Sequence, residues 1–273
     1  MRNFLLASCV SVIAFMAGAS AQAQQIHMQA KPTQAVSHGA VGSALQAAPM
    51  QLHGNAHAGW GYSGEYRASQ WGGTCSEGQA QSPINIARYL QEDLPDLGLE
   101  YQDSPLVVVN NGHTIEVKFE LGSGFHIENV PFTLQQVHFH TPSEHYLDGA
   151  PYPMEMHFVH MAENGTLAVV AVMVKVGQHN NTIEGIWQNV PGEGQTNAVP
   201  MVKINAENLL PEGRDYYKYI GSLTTPPCSE DVIWHILKEP VEISEKQLRA
   251  FQSVYPVNAR PVQPVNGRMI IGD

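Results

Sequence analysis

The sequence is poor in basic residues, and this limits the partners it can have. Its 273 residues include 14 lysines and arginines against 25 aspartates and glutamates, which gives a formal net charge of −11. A phosphate backbone is bound through a basic face, so this balance argues against nucleic acid as a partner. The sequence also lacks a basic amphipathic helix that would bind an anionic membrane surface. We interpret the acidity as a source of solubility.

Long apolar runs are also scarce. The apolar segment near the start of the chain, residues 4–17, is short for a membrane span, and no stop-transfer pattern follows it. Arg2 precedes the segment as a positive n-region, and residues 21–23 (Ala-Gln-Ala) follow it as a small-x-small cleavage site. We therefore expect residues 1–23 to be a secretory signal peptide cleaved after Ala23, with cleavage after Ala21 as the alternative. The mature protein would then be periplasmic or secreted.

Cysteine occurs only three times, at Cys9, Cys75 and Cys228. Cys9 lies inside the predicted signal peptide, where residues 6–9 resemble a lipoprotein cleavage site, so lipid attachment is an alternative to full cleavage. Cys75 and Cys228 remain in the mature chain. In an oxidising compartment we expect a disulfide between them, closing a loop of about 150 residues and adding a few kcal/mol of stability. Two buried free thiols are the alternative.

The mature chain is predicted to have two parts. Residues 24–57 are rich in Ala, Gln, Gly and His and have almost no aromatic or β-branched residues. Such a segment cannot bury enough apolar surface to fold, so we expect a flexible tail or linker. Its four histidines also allow a metal-gathering arm. Residues 58–273 have the length and composition of one folded domain.

In residues 58–273, short alternating or apolar runs are separated by clusters of Gly, Pro and Asn, which is typical of strands. Residues 167–174 are too uniformly apolar for a half-exposed strand, so this strand is expected near the centre of a sheet. Helices are expected to be few and short. The clearest begins at the capping box of Ser244 and Gln247 and runs to about Phe251. The predicted strands are residues 106–109, 114–119, 132–141, 154–161, 167–176 and 232–237.

Three histidines are placed so that they could share one metal ion. His138 and His140 are two residues apart in a predicted strand, which points both imidazoles to the same face. Val137 and Phe139 point to the opposite face and would anchor the strand in the core. His157 lies in a second predicted strand. Three imidazoles leave one corner of a tetrahedron open, which is the arrangement of a catalytic zinc site, and this predicts an enzyme that activates a zinc-bound water.

Two polar side chains could orient these imidazoles. Glu155 lies two residues before His157, and Gln136 two residues before His138, so each shares a strand face with its histidine. Zinc-bound histidines usually donate their other ring N–H to such an acceptor. Both residues could instead be solvated strand residues. His160 has the opposite parity from His157, and we interpret it as a structural histidine on the other face.

Eight short segments follow one another in the order found in the alpha-class carbonic anhydrases. The chain resembles that family over about residues 58–273, and in particular its bacterial secreted branch. The eight segments are Trp60-Gly61-Tyr62, Gln81-Ser82-Pro83-Ile84-Asn85-Ile86, Asn111-Gly112-His113, His138-Phe139-His140, Ser143-Glu144-His145, Glu155-Met156-His157-Phe158-Val159-His160, Gly221-Ser222-Leu223-Thr224-Thr225-Pro226-Pro227 and Asn258-Ala259-Arg260-Pro261-Val262-Gln263-Pro264.

The resemblance implies a mostly β fold of the α+β class, with one domain built on a large, twisted, mixed central sheet and a few short peripheral helices. It implies one zinc ion per chain, bound by His138, His140 and His157. The implied activity is the reversible hydration of carbon dioxide to bicarbonate and a proton, by attack of a zinc-bound hydroxide. In this branch of the family, a pair like Cys75 and Cys228 forms a disulfide.

The resemblance also assigns roles to other residues. Thr224 would accept a hydrogen bond from the zinc hydroxide and donate its own proton to Glu144. His113 would be the proton shuttle, acting through ordered water held by Tyr62 and Asn111. The carbon dioxide pocket would be lined by Val159, Val169, Leu223, Thr225 and Trp234.

Some expectations concern departures and partners. Glu116 lies near a site-facing position that relatives often fill with a neutral amide, and a carboxylate facing the cavity would raise the pKa of a nearby imidazolium. The Ser82-Pro83 and Pro226-Pro227 bonds are candidates for cis peptides. The resemblance implies inhibition by sulfonamides and anions, and bacterial relatives often form homodimers.

Two other functions stay open at this point. One is a non-catalytic binding domain of the same fold, although such relatives typically lack one or more of the zinc histidines. The other is a periplasmic zinc-binding or zinc-buffering protein that uses its histidine-bearing tail to load the site.

Overall fold

The computed structural model describes residues 59–273. The predicted signal peptide (1–23), the alternative lipidation site at Cys9 and the predicted tail (24–57) lie outside the described residues and stay predictions. Within residues 59–273, no helix is long and apolar enough to cross a membrane.

Strands dominate the described residues. In chain order they are β1 Asn85–Ile86, β2 Leu90–Gln91, β3 Ser104–Asn110, β4 Ile115–Lys118, β5 Gly124–Ile127, β6 Val130–His140, β7 Tyr146–Leu147, β8 Ala150–Pro151, β9 Met154–Met161, β10 Leu167–Val176, β11 Gln195–Ile204, β12 Tyr216–Ser222, β13 Glu230–Ile243 and β14 Ile271–Gly272. The helices are short: α1 Thr74–Glu77, α2 Asn181–Trp187 and α3 Glu245–Gln252, with 3-10 turns at Gly64–Tyr66, Ala68–Gln70 and Ala206–Leu209.

Eleven strands form one large sheet in the order β11-β3-β4-β6-β9-β10-β13-β12-β14-β2, with β5 paired to β6. The β10–β13 and β14–β2 pairs are parallel and the other pairs in this sheet are antiparallel. A small sheet of β1, β7 and β8 lies apart from it. The predicted mostly β architecture, with a large mixed sheet and few short helices, is confirmed.

Strand β10 explains how the sheet is buried. It lies between β9 and β13, and its first eight residues are buried. Val170 and Val172 belong to the larger apolar cluster on one face, and Val169 and Ala171 to the smaller cluster on the other. Burying such a side chain contributes roughly 1.5–3 kcal/mol, so a strand apolar on both faces is strongly driven to this central position.

All six predicted strands are present, although β3 and β13 extend beyond both of their predicted ends and β6 begins at Val130 rather than Phe132. Helix α3 begins with the predicted capping box, in which the Ser244 side chain and the Gln247 side chain each bind the other residue's backbone N–H. Both candidate cis peptides are cis, and the Thr141-Pro142 bond, which was not predicted, is cis as well.

Strand β11 was not predicted. It pairs only with β3, at one edge of the sheet, and most of its residues are exposed. With neither face covered by the core, its sequence lacks the regular alternation of apolar and polar residues that marks a strand with one buried face.

Candidate metal centre

The three predicted metal histidines lie together on neighbouring strands. His138 on β6 is directly opposite His157 on β9 in the antiparallel pair, and His140 lies two residues further along β6. One ring nitrogen from each histidine is within 4.8 Å of the other two. All three side chains are buried. The strands thus converge three imidazoles on one point.

Each of these rings is oriented by an oxygen on its far side. The contacts are His138 Nδ1 to Gln136 Oε1 at 2.9 Å, His140 Nδ1 to the Asn258 carbonyl at 2.7 Å, and His157 Nε2 to Glu155 Oε1 at 2.8 Å. A ring N–H that donates to such an oxygen fixes the tautomer, so the opposite nitrogen carries the lone pair. The nitrogens that can bind a metal are therefore Nε2 of His138, Nε2 of His140 and Nδ1 of His157.

This donor set fits zinc. Neutral imidazole nitrogens suit zinc, whereas magnesium and calcium prefer oxygen ligands. Three protein ligands with a fourth position left for water are the pattern of a catalytic zinc site. A second group that could hold a metal, formed by His145, Glu155 and His157, shares His157 with the first. Its atoms are joined to one another by hydrogen bonds, so we interpret it as support for the histidine triad.

The Glu155 carboxylate is the central acceptor of the hydrogen bonds that support the triad. Its Oε1 atom also accepts from His145 Nδ1 at 2.7 Å, and its Oε2 atom accepts from the backbone N–H groups of Glu144 and His145 at 2.7 and 2.8 Å. Burial raises the pKa of the Glu155 carboxyl, but the facing His145 and His157 rings outweigh burial and hold it well below its usual range. The Glu155 side chain is therefore an ionised carboxylate.

Glu144 lies fully buried beside the triad. Its Oε1 atom accepts from the Arg260 backbone N–H at 2.8 Å. Burial raises the pKa of the Glu144 carboxyl to about 7, against the opposing effects of His157, the Arg260 N–H and the Thr224 hydroxyl. Glu144 and Thr224, which the sequence analysis paired, are thus neighbours in the fold.

A small cavity opens beside His138 and His157. Thr224 forms part of its wall, as does Gln136. The remaining wall consists of all five residues that the resemblance placed in the substrate pocket: Val159, Val169, Leu223, Thr225 and Trp234. The space next to the open metal position is therefore bounded mainly by apolar side chains.

His113 follows β3 in a tight turn. The Asn111 side-chain oxygen accepts from the backbone N–H groups of His113 and Thr114, both at 2.9 Å. Gly112 has φ +84°, a conformation that favours glycine. The His113 ring stacks on Trp60 with centroids 3.8 Å apart. The turn therefore fixes the backbone of His113, while its ring rests on an aromatic surface.

Tyr62, expected beside the proton path, lies near Glu144. Burial raises the pKa of the Tyr62 hydroxyl well above its usual value, the charge of Glu144 raises it further, and Arg260 opposes both. Tyr62 therefore stays a neutral hydroxyl, able to donate and accept.

Glu116 faces the metal side of the sheet. On β4 it is directly opposite His138 in the antiparallel pair with β6, and it is buried. Residues opposite each other in such a pair have side chains on the same face. The face of the sheet that carries the metal histidines thus also carries the Glu116 carboxylate.

The predicted disulfide is confirmed. Cys75 of α1 is bonded to Cys228, with the two Cα atoms 5.0 Å apart. The alternative of two free thiols is wrong. The bond ties α1 to Cys228, and Thr224 and Thr225 of the cavity wall lie just before Cys228 in the chain.

Three residues with clear parts in the site were not singled out from the sequence: His145, Asn258 and Arg260. Each lies in one of the eight family segments. Their contacts, however, join positions far apart in the chain. Asn258, for example, accepts from His140 through its carbonyl and donates from its side chain to the His113 carbonyl at 3.0 Å. Strand parity reports only local relations, so no spacing could have indicated them.

The chain is similar to known proteins over most of its length. The family model for eukaryotic-type carbonic anhydrase matches residues 66–272. A carbonic anhydrase of Pectobacterium carotovorum is 41% identical over 219 residues, covering 78% of this chain and 90% of that protein.

Solved structures give the same result. An alpha-carbonic anhydrase from Photobacterium profundum matches with a TM-score of 0.75 and 44% identity, covering 78% of this chain and 99% of that one. An alpha-carbonic anhydrase from Thermovibrio ammonificans, in complex with the inhibitor sulfanilamide, matches with a TM-score of 0.75 and 44% identity, covering 80% and 100%. Because the family model and these relatives span well over half of the chain, the protein belongs to the alpha, or eukaryotic-type, carbonic anhydrase family.

Proposed function

We propose that this protein catalyses the reversible hydration of carbon dioxide to bicarbonate and a proton, with one zinc ion held by His138, His140 and His157. The observation that carries the proposal is the triad itself, three buried imidazoles with ligand nitrogens within 4.8 Å of one another and an acceptor behind each ring. Zinc bound there would lower the pKa of a water ligand to about 7, and so supply a nucleophile at neutral pH.

Thr224 and Glu144 would orient the attack. The Thr224 hydroxyl has a single proton, and the neighbouring Glu144 carboxylate is the acceptor for it. Because the Thr224 hydroxyl would donate its one proton to Glu144, it could only accept a hydrogen bond from the cavity. It would therefore select a cavity partner that has a proton to donate. The backbone N–H of Thr224 would be the donor to the oxygen on which negative charge develops.

The cavity wall would hold the substrate. Carbon dioxide is small and carries no net charge, so it gains more from apolar contact than from hydrogen bonds. Val159, Val169, Leu223 and Trp234 offer such a surface next to the metal position, and Thr225 lies at its polar margin.

His113 would return the product proton to solvent. An imidazole with an ordinary pKa near 6.5 can take a proton from inside the cavity and release it at neutral pH. Asn111, which holds the turn, and Tyr62, a neutral hydroxyl nearby, would order the water through which this proton moves. Stacking on Trp60 would hold the His113 ring at the side of the site.

We also propose that the protein is exported. The Cys75–Cys228 disulfide supports this, because such bonds persist in oxidising compartments such as the periplasm. We expect sulfonamides and small anions to inhibit, since a structural relative at 44% identity is described as a complex with the inhibitor sulfanilamide. A homodimer stays a prediction.

The experiment that tests the proposed function separates catalysis from zinc storage. Thr224→Val removes the hydroxyl and keeps the shape, so carbon dioxide hydration should fall by about 100-fold with zinc content unchanged. Thr224→Ser keeps the hydroxyl and serves as the matched control, with most activity retained. Unchanged hydration in Thr224→Val would contradict the proposed role. On a storage function, by contrast, deletion of residues 24–57 should weaken zinc binding.

A further inference from the structure

Arg260 is a buried cation between the disulfide and the metal centre. Its side chain is almost fully buried. Its guanidinium donates from Nη2 to the Cys75 carbonyl at 2.7 Å, and from Nη1 to Gln81 Oε1 at 2.9 Å and the Ser82 carbonyl at 2.7 Å. It lies 5.7 Å from the ring of Trp71. One side chain thus binds three neutral oxygens around one end of the disulfide.

The other end of the disulfide is reached through Gln81. Its side-chain nitrogen donates to the Cys228 carbonyl at 3.1 Å, while its side-chain oxygen accepts from Arg260. Arg260 therefore contacts the backbone of Cys75 directly and that of Cys228 through one intermediate side chain. The cross-link and the guanidinium form one hydrogen-bonded unit.

The same residue binds the metal centre through its backbone. The Arg260 N–H donates to Glu144 Oε1 at 2.8 Å, and the Glu144 carboxylate also interacts with Thr224. The position of the Arg260 backbone consequently helps to set the position of the Glu144 carboxylate, which accepts from Thr224. Thr224 is connected to the disulfide along the chain as well, because the Cys228 N–H donates to the Thr225 carbonyl at 2.9 Å.

We propose that Arg260 is a positioning residue that links the Cys75–Cys228 cross-link to the Glu144–Thr224 pair. This inference rests on the proposed function. A planar fork of donors can reach three oxygens from one fixed point, which a lysine ammonium cannot reproduce. Burying a cation among neutral oxygens is costly, and an apolar residue would serve packing as well or better. The arrangement is explained if the Arg260 guanidinium holds the Arg260 backbone in place, because the N–H of that backbone donates to Glu144.

The first test measures carbon dioxide hydration, zinc content and thermal stability in the full-length protein. Arg260→Met should lower kcat by about 10- to 100-fold with KM unchanged and one zinc retained, since a small displacement of an orienting group acts on the reaction step. Arg260→Lys, which keeps the charge and part of the bonding, should recover part of the loss. Arg268→Met is the matched control, because Arg268 also donates to backbone carbonyls, those of Gln81, Ile220, Pro264 and Val265, but not to Glu144.

The second test asks whether the cross-link and Arg260 act together. In a Cys75→Ala, Cys228→Ala background, Arg260→Met should lower kcat by a much smaller factor than in the wild type, because loss of the disulfide and loss of the guanidinium break the same connection. Gln81→Leu is measured in parallel, and it should reproduce a smaller kcat loss even if Arg260→Met does not fold.

Three results would overturn the inference: full kcat in Arg260→Met and Gln81→Leu, the same fold-loss from Arg260→Met in both backgrounds, or an equal kcat loss in Arg268→Met. Absence of hydration in the zinc-loaded wild type would instead contradict the proposed function.

Discussion

The Glu155 carboxylate lies 2.8 Å from the Nε2 atom of His157 and turns the Nδ1 atom of that ring toward the other two histidines. His157 is thereby the ring that would bind metal through the opposite nitrogen from His138 and His140. The same Glu155 oxygen accepts from His145, whose other ring nitrogen lies 2.7 Å from the Tyr219 hydroxyl. The orientation of one ligand is thus fixed by a chain of buried polar groups.

This relationship predicts the effect of Glu155→Gln on zinc affinity. An uncharged amide keeps the shape but removes the carboxylate that accepts from two imidazoles, and its NH2 group cannot replace that acceptor. Zinc affinity should weaken by about 10- to 100-fold, as is usual when such an orienting partner is lost. Competition with a chromophoric chelator measures it. Glu242→Gln, at a partly exposed glutamate of β13 paired with Lys175, is the control and should bind zinc like the wild type. Equal affinities in the two variants would show that the contact does not orient the ligand.

Removing the His113 imidazole should slow proton release without slowing the hydration step. His113→Ala is expected to lower kcat by about tenfold or more in dilute buffer, while kcat/KM stays near the wild-type value. Added imidazole should restore the lost rate, because it can carry the proton from the cavity. Stopped-flow measurements at two buffer concentrations provide the test. A kcat that responds neither to the substitution nor to imidazole would remove His113 from the proton path.

The two histidines on the opposite face of the sheet predict how stability depends on pH. Burial lowers the pKa of His160 to about 3, and burial together with Lys218 and His160 lowers that of His235 to about 3. Unfolded histidines have pKa values near 6.5, so between pH 6.5 and 3 the unfolded state binds more protons. The free energy of unfolding should therefore fall as the pH falls through this range.

His235→Leu isolates one of these protons. Each such histidine adds up to about 1.4 kcal/mol per pH unit to the decrease of the unfolding free energy as the pH falls. Between pH 6 and 4, the unfolding free energy of the variant should therefore decrease less per pH unit than that of the wild type. Urea unfolding at several pH values measures the slope. His126, an exposed histidine on β5, is the matched control, and His126→Leu should leave the slope unchanged. An unaltered slope in His235→Leu would mean that its proton uptake is not linked to unfolding.

Local pattern was enough to predict the centre of the sheet and the face on which the histidines lie. Strand parity placed His138 with His140 and Gln136, and His157 with Glu155, because side chains alternate with a period of two. The larger cluster on the opposite face follows from the same alternation at Val137 and Phe139. These relations hold over a few residues and need no knowledge of the tertiary fold.

Contacts between distant segments could not be predicted in this way. The carbonyl of Asn258 accepts from His140, 118 residues away, and the Arg260 N–H reaches Glu144 across 116 residues. A backbone group looks the same in every residue type, so no letter in the sequence marks it as an acceptor or donor for the site. Strand β11 was missed for a different reason, since an exposed edge strand carries no apolar alternation.

The most direct test of the account is stopped-flow hydration of carbon dioxide by the purified mature protein, with zinc content determined on the same sample. We predict fast hydration at one zinc per chain, abolished by a sulfonamide. One bound zinc without hydration would contradict the enzyme and leave a binding or storage protein.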